Sequence, residues 1–351
     1  MTILALDLAK SKSTFCNFNT ITGEVVFGEV LTKRSKLRYL LGQTRPDRVV
    51  IEICPLAGWV HDLVCGMNIE IQVADPTQDA WKWKNVKRKT DEDDALKLAR
   101  LSALDQLNLV YMPSPMMRQW RRLVEQRHSL VAERTRCKNR IRAVLLQEER
   151  HLPPGQRGWS LTRRAELREL ARPLVECEST DLWRGVLHVE LRRLEQIDEL
   201  VADVEAKLDG LAAADRRTVL VSTIPGVAQR TAEVIVTALD EVRRFKTARQ
   251  VASYAGLTPR RFQSGQMDRQ GRISKRGNRL LRQVLNQAAW MAVRWSRHFR
   301  ALFLRISGGR PARRKLAIVA VMRKILVTAW AMLRDGRAYR PPCSVPAPAA
   351  A

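Results

Sequence analysis

The chain has 351 residues, 45% of them apolar, which is enough to build packed cores in two or three domains. Lys and Arg number 62 against 36 Asp and Glu, so the formal net charge is +26. This excess favours nucleic acid as the partner over an inert basic surface, because basic side chains neutralise phosphates and release counterions. Six scattered cysteines without a CxxC pair indicate neither a disulfide framework nor a zinc site and fit a reducing cytoplasm.

Two apolar segments are candidates for targeting or membrane insertion. The first, MTILALDLAKSK, has no basic leader before its apolar stretch, so a signal peptide is not expected. The second, residues 316–333, is interrupted by Arg323 and Lys324, which favours an amphipathic helix of a soluble protein. The Pro- and Ala-rich tail, residues 341–351, lacks core residues and is expected to be disordered.

Residues 1–112 have the pattern of an α/β domain. Short apolar or alternating segments predict strands at TILALDL, STFCNFNT, GEVVFGEVL, RVVIEI and IEIQVAD. Helices are predicted from about residue 57 to 67 and in the segment TDEDDALKLARLSAL. Strands that alternate with helices favour a mostly parallel sheet with antiparallel edge strands at its start.

Four carboxylates interrupt this pattern in places where a charge is costly. Asp7 and Glu52 each lie in an apolar strand, where an ionised side chain is usually paired or bound to metal. Asp91 and Asp94 are three residues apart and therefore share one face of a helix. Hard oxygen ligands of this kind suit Mg²⁺ or Mn²⁺, and paired ions can assist substitution at phosphorus.

Each of these acids also has a structural explanation. Asp7 could cap the turn at Lys10, and Asp91 or Asp94 could interact with the dipole at a helix N-terminus. The run 91–94 could be a solvated charge cluster. The combination of the four acids on one βββαβα frame favours a joint metal site over these readings.

Residues 113–214 predict a helical arm. A long basic helix is expected from 116 to about 149, with Leu123, Leu130, Cys137 and Val144 at sevenfold spacing. After a Pro- and Gly-rich loop, a return helix is expected over 181–211. Its predicted apolar stripe consists of Leu187, Leu191, Leu194, Ile197, Val201, Val204 and Leu208.

Residues 215–340 predict a mainly helical domain with a strongly basic segment. The expected phosphate-binding residues are Arg260, Arg261, Arg269, Arg272, Lys275, Arg276, Arg279 and Arg282. Glycines 265, 271 and 277 would allow the backbone to approach a phosphate chain. A crowded solvated face is the alternative.

Two serines in this segment are candidate nucleophiles. Ser264 precedes a glycine in what reads as an exposed loop, and Ser274 is its rival, although Ser274 could instead cap a helix. No histidine lies in the segment to act as base. Upstream, Pro225 and Gly226 predict a turn between two helices, which could hold a DNA phosphate or be an ordinary connection.

The ordered motifs LALDLAKSK, VVIEI, TDEDDA and SGQMDRQGRISKRGNRLLR resemble those of the bridge-RNA-guided transposases, a family that includes the Piv-type DNA invertases. The resemblance covers residues 1 to about 340. The resemblance implies the fold class α/β plus α. An RNase H-like (RuvC-type) domain is followed by a coiled-coil helical arm and a mainly helical C-terminal transposase domain.

The resemblance further implies the roles of single residues. Asp7, Glu52, Asp91 and Asp94 would be the DEDD metal ligands for Mg²⁺ or Mn²⁺, and Ser264 would attack the DNA phosphodiester. A structured non-coding guide RNA would pair with donor and target DNA. A homo-oligomer, a dimer or tetramer, would form composite active sites in the prokaryotic cytoplasm at the nucleoid.

The chain departs from the family pattern in two places. CPLAGW follows Glu52 where a small-residue turn and an aromatic are usual, and Ala228 stands where a second glycine is common. Two other functions fit the residues. One is a nuclease similar to Holliday-junction resolvases, in which metal-activated water attacks. The other is a non-catalytic nucleic-acid-binding protein.

Overall fold

The structure is a computed structural model that describes residues 1–75, 90–264 and 267–341. The chain divides into two compact units, Met1–Pro115 and Met116–Ala351. The predicted tail, Cys343 and Gly265 lie outside the described residues. The division into domains 1–112, 113–214 and 215–340 stays a prediction.

The first unit contains one five-stranded sheet and three described helices. Its strands are β1 (Thr2–Asp7), β2 (Lys12–Asn19), β3 (Val25–Leu31), β4 (Arg48–Glu52) and β5 (Glu70–Ala74). Its helices are α1 (Arg34–Thr44), α2 (Ala57–Cys65) and α3 (Asp91–Ala103). The strand order is β3-β2-β1-β4-β5, with β1, β4 and β5 parallel and with β2 and β3 antiparallel.

The central strands β1 and β4 are buried on both faces, and side chains alternate between these faces along each strand. Leu4 and Leu6 of β1 lie in a core cluster with residues of α1 and α2. Ile3 and Ala5 belong to a second cluster that includes residues of α3. The predicted mixed α/β architecture and the five predicted strands are confirmed, and the topology is consistent with an RNase H-like domain. Helix α1 had no counterpart in the predicted elements.

The second unit contains nine further α-helices in its described residues and one β-hairpin. The helices are α4 (Pro115–Gln147), α5 (Leu161–Leu170), α6 (Leu182–Ala214), α7 (Arg216–Ser222), α8 (Gln229–Leu239), α9 (Ala248–Tyr254), α10 (Arg279–Trp295), α11 (Arg297–Ser307) and α12 (Arg314–Asp335). The hairpin strands are β6 (Pro259–Ser264) and β7 (Met267–Ile273).

Helices α4 and α6 pack along their apolar stripes, as the sevenfold spacing predicts. Leu130 and Cys137 of α4 are buried, whereas Leu123 and Val144 are half-buried. On α6 the predicted stripe is buried except Val204, which is half-buried. Cys137 is completely buried, and burial raises the pKa of its thiol to about 11. The two helices are therefore confirmed, while their use as an oligomerisation arm stays a prediction.

Helix α12 is the apolar segment that sequence patterning assigns to a soluble protein. The helix Pro311–Asp335 is long and apolar enough to cross a membrane by length and composition alone, but half of its most apolar 18-residue window is buried inside the protein. Val321, Ile325 and Ala329 of α12 are fully buried in the main core of the second unit. A core helix of this kind passes the same length and hydropathy test, so the burial favours the amphipathic interpretation.

The turn between α7 and α8 packs against the backbone of α10. Gly226 has φ of +85°, and a Cβ built on it would lie 2.5 Å from the Ala292 nitrogen and 2.6 Å from the Ala288 oxygen. The glycine is thus needed for a left-handed backbone and for close helix packing. This geometry favours an ordinary helix–turn–helix connection over the phosphate-binding interpretation.

We expect Gly226→Ala to lower the free energy of unfolding by about 2–4 kcal/mol, because it combines backbone strain with a steric clash. Gly210→Ala is the matched control. Gly210 lies inside α6 and has open space around its Cβ position. That control is expected to stabilise the protein by about 0.5–1 kcal/mol through helix propensity. Urea denaturation of both variants measures the difference, and equal stabilities would contradict the packing argument.

Candidate functional site

Asp7 and Glu52 end two adjacent parallel strands of the sheet. Leu6 of β1 is paired with Ile51 of β4, so Asp7 and Glu52 follow at the same register position. Residues in register on neighbouring strands lie on the same face, and alternation puts both acids on the face of Ala5 and Val50. Both carboxylates are half-buried. The register therefore brings together two acids that are 45 residues apart in sequence.

Helix α3 covers that same face and runs antiparallel to β4. Near its C-terminus, the Ser102 hydroxyl donates to Gln72 Oε1 at 2.8 Å, and Arg48 at the start of β4 donates to the Ser102 carbonyl at 3.4 Å. Because the C-terminus of α3 lies near the beginning of β4, its N-terminus points toward the strand ends that carry Asp7 and Glu52. Tertiary packing thus supplies the third element of the acidic set.

Two acids in the first turn of α3 have different roles: one caps the helix and the other is buried. Thr90 accepts a hydrogen bond from the Asp93 N–H at 3.2 Å, and the Asp93 carboxylate accepts from the Thr90 N–H at 3.3 Å. This capping box explains Asp93 without a metal. Asp94 is only 9% exposed, whereas Asp91 and Glu92 are exposed. Asp94 is therefore the acid of this turn that lies on the sheet side.

The donor set fits a hard cation by its chemistry, because all four predicted ligands are carboxylates. In residues 1–75, 90–264 and 267–341, however, no three His, Cys, Asp or Glu side chains are close enough together to hold a metal ion. Asp7, Glu52 and Asp94 thus lie on one face and at one edge of the sheet, but they are not close enough together to share one metal ion. Their role as ligands, and that of Asp91, stays a prediction.

Two polar residues at this edge were not singled out from the sequence. Thr14 of β2 is paired directly with Asp7 across the antiparallel ladder, so it shares the face of the acids. Asp75 follows β5 at the same edge, but alternation puts it with Val73 on the opposite face. The alternation of β2 could have identified Thr14 if the strand register had been known.

The serine segment forms a β-hairpin rather than the expected loop. Ser264 is the last residue of β6, is paired with Met267 of β7 and is exposed. On the same hairpin, Arg261 makes a two-point ion pair with Asp268 at 2.8 and 2.6 Å, and this hydrogen bonding lowers the pKa of the Asp268 carboxyl. RRFQS and MDRQGRI lack the alternation of apolar and polar residues that indicates a half-buried strand, so this pattern did not predict the hairpin.

The basic residues predicted to bind phosphate fall into two groups. Seven of them are exposed: Arg260, Arg261, Arg269, Arg272, Lys275, Arg276 and Arg279. The eighth, Arg282, is half-buried and donates to the carbonyls of Ala255, Arg276 and Gly277 at 2.9–3.2 Å. Arg282 thus has a clear structural task, since it fixes the turn before α10.

The glycines of this segment are explained by internal contacts. A Cβ on Gly277 would lie 2.1 Å from the Tyr254 oxygen, at φ of +79°. A Cβ on Gly271 would lie 3.3 Å from the Phe262 ring. Packing within the protein therefore requires glycine at 277, whereas at 271 the exposed Phe262 ring would have to shift by only a few tenths of an ångström. Close approach of a phosphate chain to these glycines stays a prediction.

The rival serine lies at the other end of the hairpin. Ser274 is half-buried, and its N–H donates to the Thr258 carbonyl at 2.8 Å. It lines an open groove of about 530 Å³ together with Arg260, Arg261 and Arg276. Ser274 thus lies in a groove whose arginines could hold a phosphate. Ser264, by contrast, is exposed at the end of β6.

We expect the double variant Arg269→Gln and Arg279→Gln to weaken DNA binding and to reduce the salt slope of log K by about 2, since each phosphate contact contributes about 0.9. The measurement is fluorescence anisotropy of a labelled duplex between about 50 and 200 mM salt. Arg163→Gln, on α5 and ion-paired with Glu166, is the matched control. An unchanged slope in the double variant would contradict the phosphate assignment.

Comparison with known proteins places this combination, an α/β unit with four candidate metal-binding acids and a basic helical unit, among the transposases. Residues 4–148 match the model of the DEDD transposases of IS110 type, and residues 219–304 match the model of the transposase IS116/IS110/IS902 family. The first match contains all four predicted acids, and the second contains Ser264 and the basic segment. The chain belongs to the IS110/IS116/IS902 family of transposases and is a DNA transposase or recombinase.

Two of three similar proteins span nearly the whole chain, and the third spans about three quarters of it. The transposase for insertion sequence element IS1111A of Coxiella burnetii is 28% identical over 96% of this chain and 91% of its own length. The transposase for insertion sequence element IS1328 of Yersinia enterocolitica is 24% identical over 97% and 98%. The pilin gene-inverting protein of Moraxella bovis is 25% identical over 72% and 69%. The transposase family predicted from the motifs is thereby confirmed, whereas guidance by an RNA stays a prediction.

Proposed function

We propose that the protein cleaves and rejoins DNA strands of an insertion sequence through a covalent bond to Ser264, assisted by a divalent metal ion at the acidic set. The observation that carries this proposal is the register of β1 and β4, which puts Asp7 beside Glu52 at the strand ends under the N-terminus of α3. Carboxylates at neighbouring strand ends are the oxygen ligands that hard divalent cations prefer.

The metal ligands would be Asp7, Glu52, Asp91 and Asp94. When bound, Mg²⁺ or Mn²⁺ would neutralise phosphate charge and stabilise the departing oxygen. The DNA would have to come close to this edge, and the exposed side chain of Asp91 would turn inward to join the buried Asp94. Thr14, next to Asp7 in the sheet, would help to orient that carboxylate.

In the chemical step the Ser264 hydroxyl oxygen attacks the phosphorus of the scissile phosphodiester. The new bond joins the serine oxygen to phosphorus, the bond from phosphorus to the leaving strand breaks, and the serine proton passes to solvent while the leaving oxygen takes up a proton. Attack by a hydroxyl of another strand reverses the sequence and reseals the DNA. The exposed arginines of the hairpin, among them Arg269 and Arg272, would hold the phosphate backbone.

The partners follow from the same proposal. An element-encoded structured RNA would select donor and target DNA by base pairing. Protomers of a homo-oligomer, a dimer or tetramer, would supply the acids and the serine of one composite site from different chains. The reaction would take place in the cytoplasm at the nucleoid of a prokaryote.

The test uses the full-length protein with DNA that carries both ends of its element, the RNA transcribed from the flanking DNA, and Mg²⁺. Denaturing electrophoresis of labelled DNA is expected to show a covalent protein–DNA adduct, which disappears when EDTA replaces Mg²⁺ and weakens when RNA is omitted. Strand cleavage without any adduct would contradict the serine mechanism and favour attack by metal-activated water. Cleavage that is unaffected by EDTA would contradict the metal site.

A further inference from the structure

The region that follows the hairpin has an unusual charge pattern. Between Asp268 and Asp335 the sequence contains no Asp or Glu, whereas Arg and Lys recur throughout. Helix α10 lies within this stretch, so its solvent-facing side has only neutral and positive groups. A polyanion can therefore lie along α10 without meeting an acidic side chain of this segment.

The exposed side of α10 combines amide, aromatic and guanidinium groups. One side of the helix, including Leu281, Leu285 and Ala289, is buried in the core. The other side is exposed and consists of the following residues: Gln283, Asn286, Gln287, Trp290, Met291, Arg294 and Trp295. Amides offer both a donor and an acceptor to a base edge, and tryptophan rings stack on unpaired bases.

A small cavity opens beside the amide end of this surface. It has a volume of about 170 Å³, and its lining includes Gln283 and Gln287 of α10, His128 of α4, and the apolar side chains Val131 and Val284. A cavity of about 150 Å³ accepts benzene, so this one has room for a single six-membered ring. The size favours a pyrimidine over the larger purine.

The charged groups of the cavity wall are already paired. Arg127 Nε donates to Glu205 at 2.7 Å, and Arg230 Nη1 donates to Glu233 at 2.6 Å. Glu233 is 1% exposed, and burial raises the pKa of its carboxyl. With these charges neutralised in pairs, the cavity suits a neutral planar ring with hydrogen-bonding edges better than a phosphate.

The two tryptophans lie farther along the same surface. Trp290 packs against Phe303 at 5.8 Å between ring centroids, and Arg314 lies 5.9 Å from its ring centre, yet 40% of the residue is exposed. Trp295 is 67% exposed, with Arg294 over its ring at 5.3 Å. From Gln287 to Trp295 the helix rises roughly 12 Å, about the length of three to four stacked nucleotides.

We propose that the exposed side of α10 and the adjacent cavity form a binding site for a single DNA strand with unpaired bases. One pyrimidine enters the cavity against Gln283 and Gln287, and neighbouring bases stack on Trp290 and Trp295. The choice of DNA rests on the proposed function, because Arg282 anchors the N-terminus of α10 to the turn that follows the Ser264 hairpin. A strand opened for cleavage would thus be held beside the nucleophile segment.

The test measures the anisotropy of labelled 15-residue oligo(dT), oligo(dA) and oligo(rU), and of a duplex, with the full-length protein in EDTA. We expect oligo(dT) to bind more tightly than oligo(dA). Val284→Trp, which fills the cavity, is expected to remove that preference. Trp290→Ala and Trp295→Ala are each expected to weaken binding of both DNA strands about 10-fold, while duplex binding changes little.

Gln287→Ala is a milder second variant that keeps the core intact, and it should also reduce the preference for oligo(dT). Val186→Trp, at an exposed position of α6, is the matched control for the bulky substitution. Thermal melting verifies that each variant is folded. An unchanged preference in both cavity variants, or equal affinities for oligo(rU) and oligo(dT), would overturn the proposal. Adduct formation by the unaltered protein, measured separately, tests the proposed function independently of this site.

Discussion

We expect Ser264→Ala to abolish the covalent protein–DNA adduct and to lower the rate of strand transfer by on the order of 10⁶-fold, as removal of the nucleophilic serine does in a serine protease. The physical reason is that alanine has no oxygen to form the bond to phosphorus. Ser264 is exposed at the end of β6 and makes no contribution to the apolar core, so the variant should fold normally. The adduct is measured on denaturing gels after reaction with labelled DNA.

Ser274→Ala is the matched control for this experiment. Its backbone N–H and carbonyl, which bond Thr258 and Arg260, do not depend on the side chain, so the hairpin should be preserved. We expect this variant to retain the adduct with at most a modest loss of rate. The opposite pattern, with the adduct lost in Ser274→Ala and kept in Ser264→Ala, would transfer the nucleophile to the arginine-lined groove.

We expect Asp7→Asn to lower strand cleavage by at least about 100-fold, because loss of one ligand weakens the metal site more than changes in its surroundings, which typically cost 10–100-fold. A second measurement, the melting temperature with and without Mg²⁺, distinguishes loss of metal binding from loss of folding. Mg²⁺ should raise the melting temperature of the unaltered protein through binding to the folded state, and this increment should vanish in Asp7→Asn. Thermal melting in EDTA verifies that the variant and the parent are both folded.

Asp75→Asn is the control at the same edge of the sheet, on the face that alternation assigns to Val73. We expect cleavage and the Mg²⁺-dependent increment to be unchanged there. An increment that persists in Asp7→Asn, or that is lost equally in Asp75→Asn, would contradict the assignment of the metal to the α3 face. Both the serine mechanism and the resolvase-like mechanism need Asp7 as a metal ligand. Full activity of Asp7→Asn would therefore refute both mechanisms.

The elements of the fold were largely predictable because their signals are local. Short apolar runs such as RVVIEI and TILALDL identify buried strands, sevenfold spacing identifies α4, and an apolar stripe identifies α6. The acids Asp7 and Glu52 could be singled out for the same reason, since a charge in an apolar strand is costly wherever that strand is packed. Family membership likewise follows from the order of short motifs, which needs no coordinates.

Contacts between distant segments decided the rest. Sequence alone could not establish that Asp7 is beside Glu52, because the register of parallel strands depends on the packing of the whole sheet. Nor could it distinguish Arg282, which binds three carbonyls, from the exposed Arg279, because both are arginines in one basic run. The sequence thus indicated a polyanion as the partner through its net charge, and it indicated the candidate ligands through the acids in apolar strands and on one helix. Tertiary packing determined which side chains share a face, which are used internally and which face of α10 is exposed.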